Sequence, residues 1–250
     1  DMWSFAGKGN VWGKAAKSPR EQFLELQEKV GPNTVLFPFE SPVGMDTAHV
    51  RAGLDLFIYA YHDAPDLVSD WLEALNWAEI RRVHETADRE LSPVALVYSD
   101  IADKNATFYS PAFLRKEFFP RLSKLVEAWH QHGINVIFHS DGNLWQVLND
   151  FRSAGVDGIN PLEPLSSMYA GDVRAHYPDW ILMGGVDASQ LLPFAPADVV
   201  RATVRRTIEQ AGARGRLWLG SSTEIHPACK LENVLAMWDT ILEHGYYDQP

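Results

Sequence analysis

Short apolar runs alternate with longer amphipathic stretches along most of this chain, and the alternation predicts strands and helices in turn. Runs rich in β-branched and aromatic residues are typical of buried parallel strands, and apolar residues at helical spacing are typical of helices that cover a sheet. The runs predict six strands at 35–39, 94–98, 134–138, 158–160, 181–184 and 217–219. The amphipathic stretches predict helices at 65–88, 110–132, 144–153, 196–211 and 231–243.

Strands that alternate with helices predict βαβ units and a parallel α/β sheet. An open doubly wound sheet and a closed barrel both fit this order, but no G-x-G-x-x-G turn follows an early strand, which favours the barrel. A TIM (β/α)8-type barrel has eight strands, so six predicted strands indicate that the N-terminal part is missing or divergent. We expect an irregular N-terminal segment over 1–34 and one barrel domain over 35–250.

Composition narrows the class of partners. The 250 residues are 46% hydrophobic, enough for one large core, and carry a net charge of −11, which argues against binding to nucleic acid. Cys229 is the single cysteine and has no partner for an internal disulfide, and no run approaches the roughly 18 apolar residues of a membrane span. We therefore expect a cytoplasmic protein without membrane contact. The chain starts without Met or a leader, as a trimmed or later part of a longer protein would.

Polar side chains follow the predicted strands, at the edge where a barrel collects its reactive groups. These candidates are Glu40, Asp100, Asp103, His139, Asp141, Glu163, Asp187, Ser221, Ser222 and Glu224. The set is acidic and contains one histidine. Such a ring is suited to binding a divalent metal or to acid–base chemistry.

The segment 134–143 is the most informative, because an apolar strand ends in His139, Asp141 and Gly142. His139 and Asp141 are two residues apart and leave the strand on one face. They could form a metal-ligand pair or a base held by a carboxylate; alternatively, Asp141 only caps the next helix and His139 is hydrogen-bonded in the core. Asp100 ends a buried strand, where a carboxylate needs a function or a cation.

The remaining strand ends also have two interpretations. Glu163 lies between two prolines on a stiff turn and is a candidate site residue, whereas Asp187 suits a helix cap as well as a catalytic role. In 220–229 the hydroxyls of Ser221 and Ser222 would suit an anionic ligand or cofactor. Glu224, His226 and Cys229 are possible metal donors, or the whole segment is a loop before the last helix. No C-x-x-C or H-E-x-x-H spacing supports zinc by itself.

From about residue 35 to 247 the chain resembles the uroporphyrinogen decarboxylase superfamily, which includes cobalamin-linked methyltransferases. Six segments in order carry the resemblance: Tyr-Ser-Asp at 98–100, Ser-Pro…Phe-Phe-Pro at 110–120, His-Ser-Asp-Gly-Asn at 139–143, Ala-Gly-Val-Asp-Gly-Ile-Asn-Pro at 154–161, Gly-Gly-Val-Asp at 184–187, and Leu-Glu-Asn-Val at 231–234. The resemblance implies a barrel enzyme, of either the decarboxylase or the methyltransferase branch.

The two branches imply different chemistry. The decarboxylase branch grips its substrate's carboxylates with an arginine-rich N-terminal loop, whereas here Arg20 stands alone near the start, and Ser221 or Thr223 replaces a histidine of the last loop. The methyltransferase branch holds zinc on a His-x-Cys pair and a later Cys. His139 matches that histidine, Asp141 occupies the position of the first cysteine, and Ser221 or a neighbour replaces the second. Oxygen donors can still hold zinc.

The resemblance therefore favours a metal-dependent methyltransferase-like enzyme that moves a methyl group between a corrinoid and a small thiol acceptor. In this hypothesis zinc is held by His139, Asp141 and Glu224, with Glu163 as an alternative donor. Asp100, Glu163 and Asp187 are the candidate catalytic residues, with Asp100 and Asp187 orienting the acceptor or the corrinoid. Ser221 and Ser222 are the candidate cofactor-binding residues. The methyl donor is a small molecule or a corrinoid protein. Tetrapyrrole decarboxylation, with Asp100 handling a proton, and a ligand-binding relative without catalysis are the alternatives.

Overall fold

A single all-parallel sheet of six strands organises the molecule, whose computed structural model describes residues 17–31, 34–37 and 40–245. The strands lie in chain order: β1 (Glu40–Pro42), β2 (Val94–Tyr98), β3 (Asn135–His139), β4 (Gly158–Leu162), β5 (Ile181–Val186) and β6 (Leu217–Ser221). Parallel strands in sequential order require a crossover between each pair, and helices provide it. The α/β class predicted from the sequence is confirmed, while closure into a complete barrel stays a prediction.

Eleven α-helices occur within the described ranges. They are α1 (Pro19–Val30), α2 (Met45–Ala52), α3 (Leu54–Asp63), α4 (Pro65–Thr86), α5 (Pro111–Phe113), α6 (Phe119–Gln131), α7 (Leu148–Ser153), α8 (Ala170–His176), α9 (Leu191–Phe194), α10 (Ala197–Ala211) and α11 (Leu231–His244). A π-helical turn at Leu114–Phe118 joins α5 to α6, so the helix predicted over 110–132 is interrupted just before Pro120, which cannot donate a backbone hydrogen bond.

Five of the six predicted strands are confirmed within two residues of their ends, but the first prediction is wrong. Residues 34–37 form no strand, positions 38 and 39 lie outside the described residues, and β1 begins at Glu40. The three residues of β1 are Glu40, Ser41 and Pro42, which form no apolar run. Of the three, only Ser41 is buried. Phe37 instead packs its ring against Trp218 of β6, with centroids 6.3 Å apart.

The N-terminal segment is also more regular than its composition predicts. Residues 1–16 lie outside the described part, but helix α1 occupies Pro19–Val30 inside the segment expected to be irregular. Ser18 and Glu21 form a reciprocal capping box at its start, which satisfies backbone N–H groups that would otherwise lack partners. The division into a segment 1–34 and a domain 35–250 remains a prediction.

The core lies between the sheet and its covering helices. Strand residues such as Val136 and Phe138 are fully buried against α6 and α7. Phe118, Phe138 and Phe151 pack with ring centroids 4.5–6.4 Å apart, in tilted and edge-to-face arrangements. This aromatic cluster holds β3 firmly, so the residues that follow it have a rigid support. Within the described ranges, the helices are all too short or too polar to cross a membrane.

Candidate active site

The carboxyl ends of the strands bring several of the predicted polar residues together. Strand pairing places Tyr98, His139 and Asn160 level with one another on β2, β3 and β4, because each pairs with the next across the sheet. The loops that follow these strands therefore start at the same height. Asp100, Asp141 and Glu163 lie in those loops, and Asp100 and Asp141 lie next to His139.

Asn160 sets the orientation of the His139 ring. Its Oδ1 lies 2.6 Å from Nδ1 of His139, which is half-buried at the end of β3. Because the amide oxygen of Asn160 is an acceptor, Nδ1 of His139 carries the proton and Nε2 keeps its lone pair. Nε2 lies 3.8 Å from Oδ1 of Asp100. A histidine fixed through one nitrogen with the other free is the arrangement typical of a metal ligand.

Backbone hydrogen bonds fix Asp100 and Asp141 relative to His139. The amide of Asp141 donates to Oδ1 of Asp100 at 3.0 Å, and the Ser140 hydroxyl accepts from the amide of Ile101 at 3.1 Å. These two bonds tie the loop after β2 to the loop after β3. The two carboxylates are thereby held close to the imidazole.

Asp100, His139 and Asp141 form a compact donor cluster. One potential ligand atom from each residue lies within 4.8 Å of the other two. Burial raises the pKa of Asp141, the negative charges of Glu163 and Asp100 raise it further, and His139 lowers it. An added cation would relieve this repulsion between acceptors, which makes the cluster a candidate metal site.

Glu163 supports the cluster from the next loop. Its Oε2 accepts a hydrogen bond from the amide of Gly142 at 2.6 Å and another from the Ser166 hydroxyl at 3.3 Å. Gly142 has φ of +94°, and a Cβ there would meet the Asp103 carbonyl oxygen at 2.5 Å. The glycine therefore permits the close approach that brings its amide to Glu163. Glu163 adds negative charge beside Asp141, and its catalytic role stays a prediction.

An open cavity of about 400 Å³ lies over the cluster. Its described lining residues are Asp100, His139, Asp141, Asn160, Pro161, Ser221, Ser222, Thr223 and Glu224. Lysine and arginine are absent from this described lining. The site therefore attracts cations and repels multiply charged anions.

The loop after β6 provides the far wall of the cavity. The Thr223 hydroxyl donates to the Glu224 carboxylate at 2.8 Å, and this bond lowers the pKa of Glu224, which keeps the side chain charged. Ser222 is buried, and its hydroxyl accepts from the amide of Ala188 at 3.2 Å. Glu224 lies outside the described three-residue donor cluster, so its assignment as a metal ligand stays a prediction, as does cofactor binding by Ser221 and Ser222.

Three other candidates make local structural contacts. Oδ1 of Asp187 accepts from the amides of Ser189 and Gln190, the geometry of a capped turn, and Asp187 is not among the described lining residues of the cavity. His226 Nε2 lies 3.0 Å from the Ala188 carbonyl oxygen, and the thiol of Cys229 lies 3.6 Å from the same oxygen. These contacts match the alternative of a structural loop; a catalytic role for Asp187 stays a prediction.

Besides Asn160, the structure adds Asp46, a second residue that sequence reasoning missed. Asp46, in the first turn of α2, is only 8% exposed, and its Oδ2 accepts from the amide of Asp100 at 3.1 Å. Burial raises the pKa of Asp46 to about 6, and the charge of Asp100 adds to the rise. Sequence reasoning missed Asp46 because it placed the first strand at 35–39, five residues before β1, and predicted no helix at Met45–Ala52.

The donors present are compatible with zinc. Imidazole nitrogen and carboxylate oxygen are both established zinc ligands, and catalytic zinc sites keep a position open for substrate. Three clustered donors beneath an open cavity meet that description. The carboxylates make this a harder, more oxygen-rich site than one built on cysteines.

The family model described as "Uroporphyrinogen decarboxylase (URO-D)" matches residues 56–244. A search of the curated proteins found no match.

Among solved structures, a methyltransferase from Methanosarcina mazei superposes with a TM-score of 0.71 and 22% sequence identity, covering 91% of this chain and 64% of that one. The chain thus spans less than two thirds of that methyltransferase, and the likeness shows the fold. A xylose isomerase-like TIM barrel/4-hydroxyphenylpyruvate dioxygenase fusion protein superposes with a TM-score of 0.45 and 16% identity, covering 94% of this chain and 39% of that one.

Proposed function

The chain belongs to the uroporphyrinogen decarboxylase family, and we propose that it is a metal-dependent, methyltransferase-like member. It would move a methyl group between a corrinoid and a small thiol acceptor. The observation that carries the proposal is the cluster of Asp100, His139 and Asp141 beneath an open cavity at the carboxyl edge of the sheet. The fold shared with a methyltransferase is consistent with it.

In this proposal His139, Asp141 and Asp100 hold zinc. Asp100 was expected to act on substrate, but its position beside His139 Nε2 favours a role as ligand. Zinc, when bound, would lower the pKa of a thiol and so favour the nucleophilic thiolate. Asn160 keeps the His139 lone pair directed at the site, and Glu163 keeps Gly142, and with it the Asp141 loop, in place.

The charge of the cavity favours a small acceptor over a tetrapyrrole. Two negative charges of Asp100 and Asp141 would be balanced by a divalent ion, which leaves the charge of Glu224 at the wall. A substrate with many carboxylates would be repelled, because the described lining offers no arginine or lysine to receive them. This argues against decarboxylation of a porphyrinogen by these residues.

Exposed apolar side chains on the surrounding loops support a macromolecular methyl donor. Phe108, Leu165, Tyr169 and Ile225 are each about half exposed and lie in the loops that follow β2, β4 and β6. Exposed apolar side chains on loops at one edge of a sheet can form an interaction surface. A corrinoid protein that presents its cofactor to the cavity would cover them.

Zinc analysis tests the metal site. We expect the purified protein to bind one tight equivalent of zinc and His139→Ala to lose it. The matched control is His84→Ala, because Nδ1 of His84 lies 3.0 Å from Nε2 of His132 and this pair could bind a second ion elsewhere. The control should keep the tight equivalent. Protein that remains metal-free after supplementation with zinc would refute the proposal.

Methyl transfer tests the reaction. We expect the zinc-loaded protein to transfer a methyl group from methylcobalamin to a small thiol. The change in corrinoid absorbance and mass spectrometry of the thioether measure this transfer. His139→Ala should lower the rate at least about 100-fold, since ligand loss exceeds the 10- to 100-fold effect of outer contacts. Release of carbon dioxide from uroporphyrinogen without any thiol methylation would favour the decarboxylase alternative instead.

A further inference from the structure

We infer that Asp46 is a positioning residue that holds the proposed metal ligand Asp100 in place, an inference that rests on the proposed metal site. Asp46 lies on a different element from every ligand, in the first turn of α2 just after β1. Its carboxylate contacts the backbone of Asp100: the Asp100 amide donates to Oδ2 at 3.1 Å. The assignment makes α2 a part of the site.

Asp46 begins a series of similar contacts along the strand ends. Asp46 accepts from the amide of Asp100, Asp100 accepts from the amide of Asp141, and Glu163 accepts from the amide of Gly142. Each bond joins a carboxylate in one loop to the backbone of an adjacent loop. The loops after β1, β2, β3 and β4 are thereby linked, and two of the linked residues are the proposed carboxylate ligands.

Asp46 is placed to act through this bond and not as a ligand itself. It lies outside the described donor cluster and is buried, whereas the Asp100 side chain is 55% exposed toward the cavity. A buried acceptor that orients an exposed ligand is the arrangement of an outer contact in a metal site. Removal of the acceptor would leave the Asp100 amide without its partner and free the loop.

The other oxygen of Asp46 shows which substitution is conservative. The buried Ser99 hydroxyl interacts with the Asp46 carboxylate, and Nε2 of His49 lies 3.7 Å from Oδ1. An asparagine could accept from Asp100 with its carbonyl oxygen and direct its NH₂ group toward Ser99 and His49. Asp46→Asn therefore keeps the bond and removes the charge, whereas Asp46→Ala removes both.

The test measures zinc affinity by competition with a chromophoric chelator. We expect Asp46→Ala to weaken zinc binding about 10- to 100-fold, the usual effect of losing an outer contact, and Asp46→Asn to stay within about threefold of the unmodified chain. Asp198→Ala is the control, because Asp198 is also acidic and in the first turn of a helix but is exposed on α10. It should leave the affinity unchanged.

Amide hydrogen exchange gives a readout that needs no metal. In the metal-free protein, exchange at the Asp100 amide should be faster in Asp46→Ala than in Asp46→Asn, with both variants folded by circular dichroism. Zinc affinity in Asp46→Ala equal to that of the unmodified chain would refute the positioning role while leaving the metal site intact. If neither the variants nor the unmodified protein bind zinc, the proposed function fails. Equal exchange rates of the Asp100 amide in Asp46→Ala and Asp46→Asn would separately refute the contact between Asp46 and Asp100.

Discussion

Gly142 shows how one residue fixes the geometry of the site. Its positive φ and its contact with Asp103 leave no room for a side chain, and its amide holds Glu163. A Cβ would approach the Asp103 carbonyl oxygen to 2.5 Å, so either the loop after β2 or the loop after β3 must move. Both loops carry proposed ligands. Backbone constraint at Gly142 is therefore coupled to the proposed metal site.

Gly142→Ala should consequently lower both stability and zinc affinity. We expect a loss of about 3 kcal/mol in the free energy of unfolding, from strain at positive φ together with the clash. Gly215→Ala is the matched control, because Gly215 also has positive φ but a Cβ there would meet no described atom within 4 Å, so about 1 kcal/mol is expected. Urea unfolding measures the loss in the free energy of unfolding for both variants. Equal losses in the two variants would contradict the proposed clash.

Asp46 predicts how stability depends on pH in metal-free protein. Its pKa is raised from 3.8 to about 6 by burial and by Asp100, so the folded chain binds this proton more tightly than the unfolded chain. The free energy of unfolding should therefore fall as pH rises from about 4 through about 6. Asp46→Asn has no carboxyl to ionise and lacks this loss. The stability of Asp46→Asn relative to the unmodified chain should therefore rise by up to about 3 kcal/mol between pH 4 and pH 7.5.

Thermal and urea unfolding in the presence of a chelator would measure this difference at both pH values. The matched control is again Asp198→Ala, whose side chain is exposed. A stability difference between Asp46→Asn and the unmodified chain that does not change with pH would show that Asp46 keeps an ordinary pKa.

At the scale of elements, a buried ion pair connects the helices that cover the first strands. Arg121 on α6 lies 2.9 Å from the Glu117 carboxylate, with side-chain exposures of 8% and 2%, and its guanidinium donates to the backbone and hydroxyl of Ser69 on α4. Since Glu117 lies in the π-helical turn, this pair links the irregular turn, α6 and α4. Loss of one partner would leave a buried charge with fewer contacts.

Arg121→Met should therefore destabilise the fold by about 3 kcal/mol. Arg115→Met is its control, because Arg115 forms an ion pair with Asp150 at a similar distance of 2.9 Å but is 55% exposed, and such pairs contribute less than about 1 kcal/mol. Urea unfolding of the two variants compares them directly. Equal destabilisation would show that burial of the Arg121 pair has no special effect.

The sequence predicts the elements where hydrophobic pattern and burial agree. Strands β2 to β6 were predicted because their apolar runs are buried in the sheet. β1 was misplaced because its three residues lack such a run, while the apolar residues before it pack differently, Phe37 against Trp218. Helices α2 and α3 were missed for the same reason, since Val50, Leu56, Ile58 and Tyr59 are exposed and blur the amphipathic pattern.

The candidate site was predictable only as far as strand ends reveal it. His139, Asp141 and Asp100 were identified from their positions after apolar strands, and the structure brings them together. Asn160 and Asp46 were not identified, because their importance depends on contacts across 21 and 54 residues of sequence. Such contacts depend on strand register, which the sequence pattern does not specify at this precision.

At the scale of the whole molecule, metal binding should stabilise the fold. Zinc that binds the folded chain alone raises the free energy of unfolding by about 2.7 kcal/mol at a free concentration 100 times the dissociation constant. For a chain of this size that corresponds to a rise of roughly 5–10 °C in Tm by calorimetry. The rise should be absent in His139→Ala and present in His84→Ala. An equal rise in both variants would place the stabilising ion elsewhere.

X-ray absorption at the zinc edge tests the central claim most directly, because it reports the ligands of the bound ion. The donors Asp100, His139 and Asp141 predict nitrogen and oxygen neighbours at about 2.0–2.1 Å, an imidazole signature, and no sulfur at about 2.3 Å. In His139→Ala the imidazole signature should disappear. A sulfur neighbour would assign zinc to Cys229, and a spectrum unchanged by His139→Ala would contradict the proposed site.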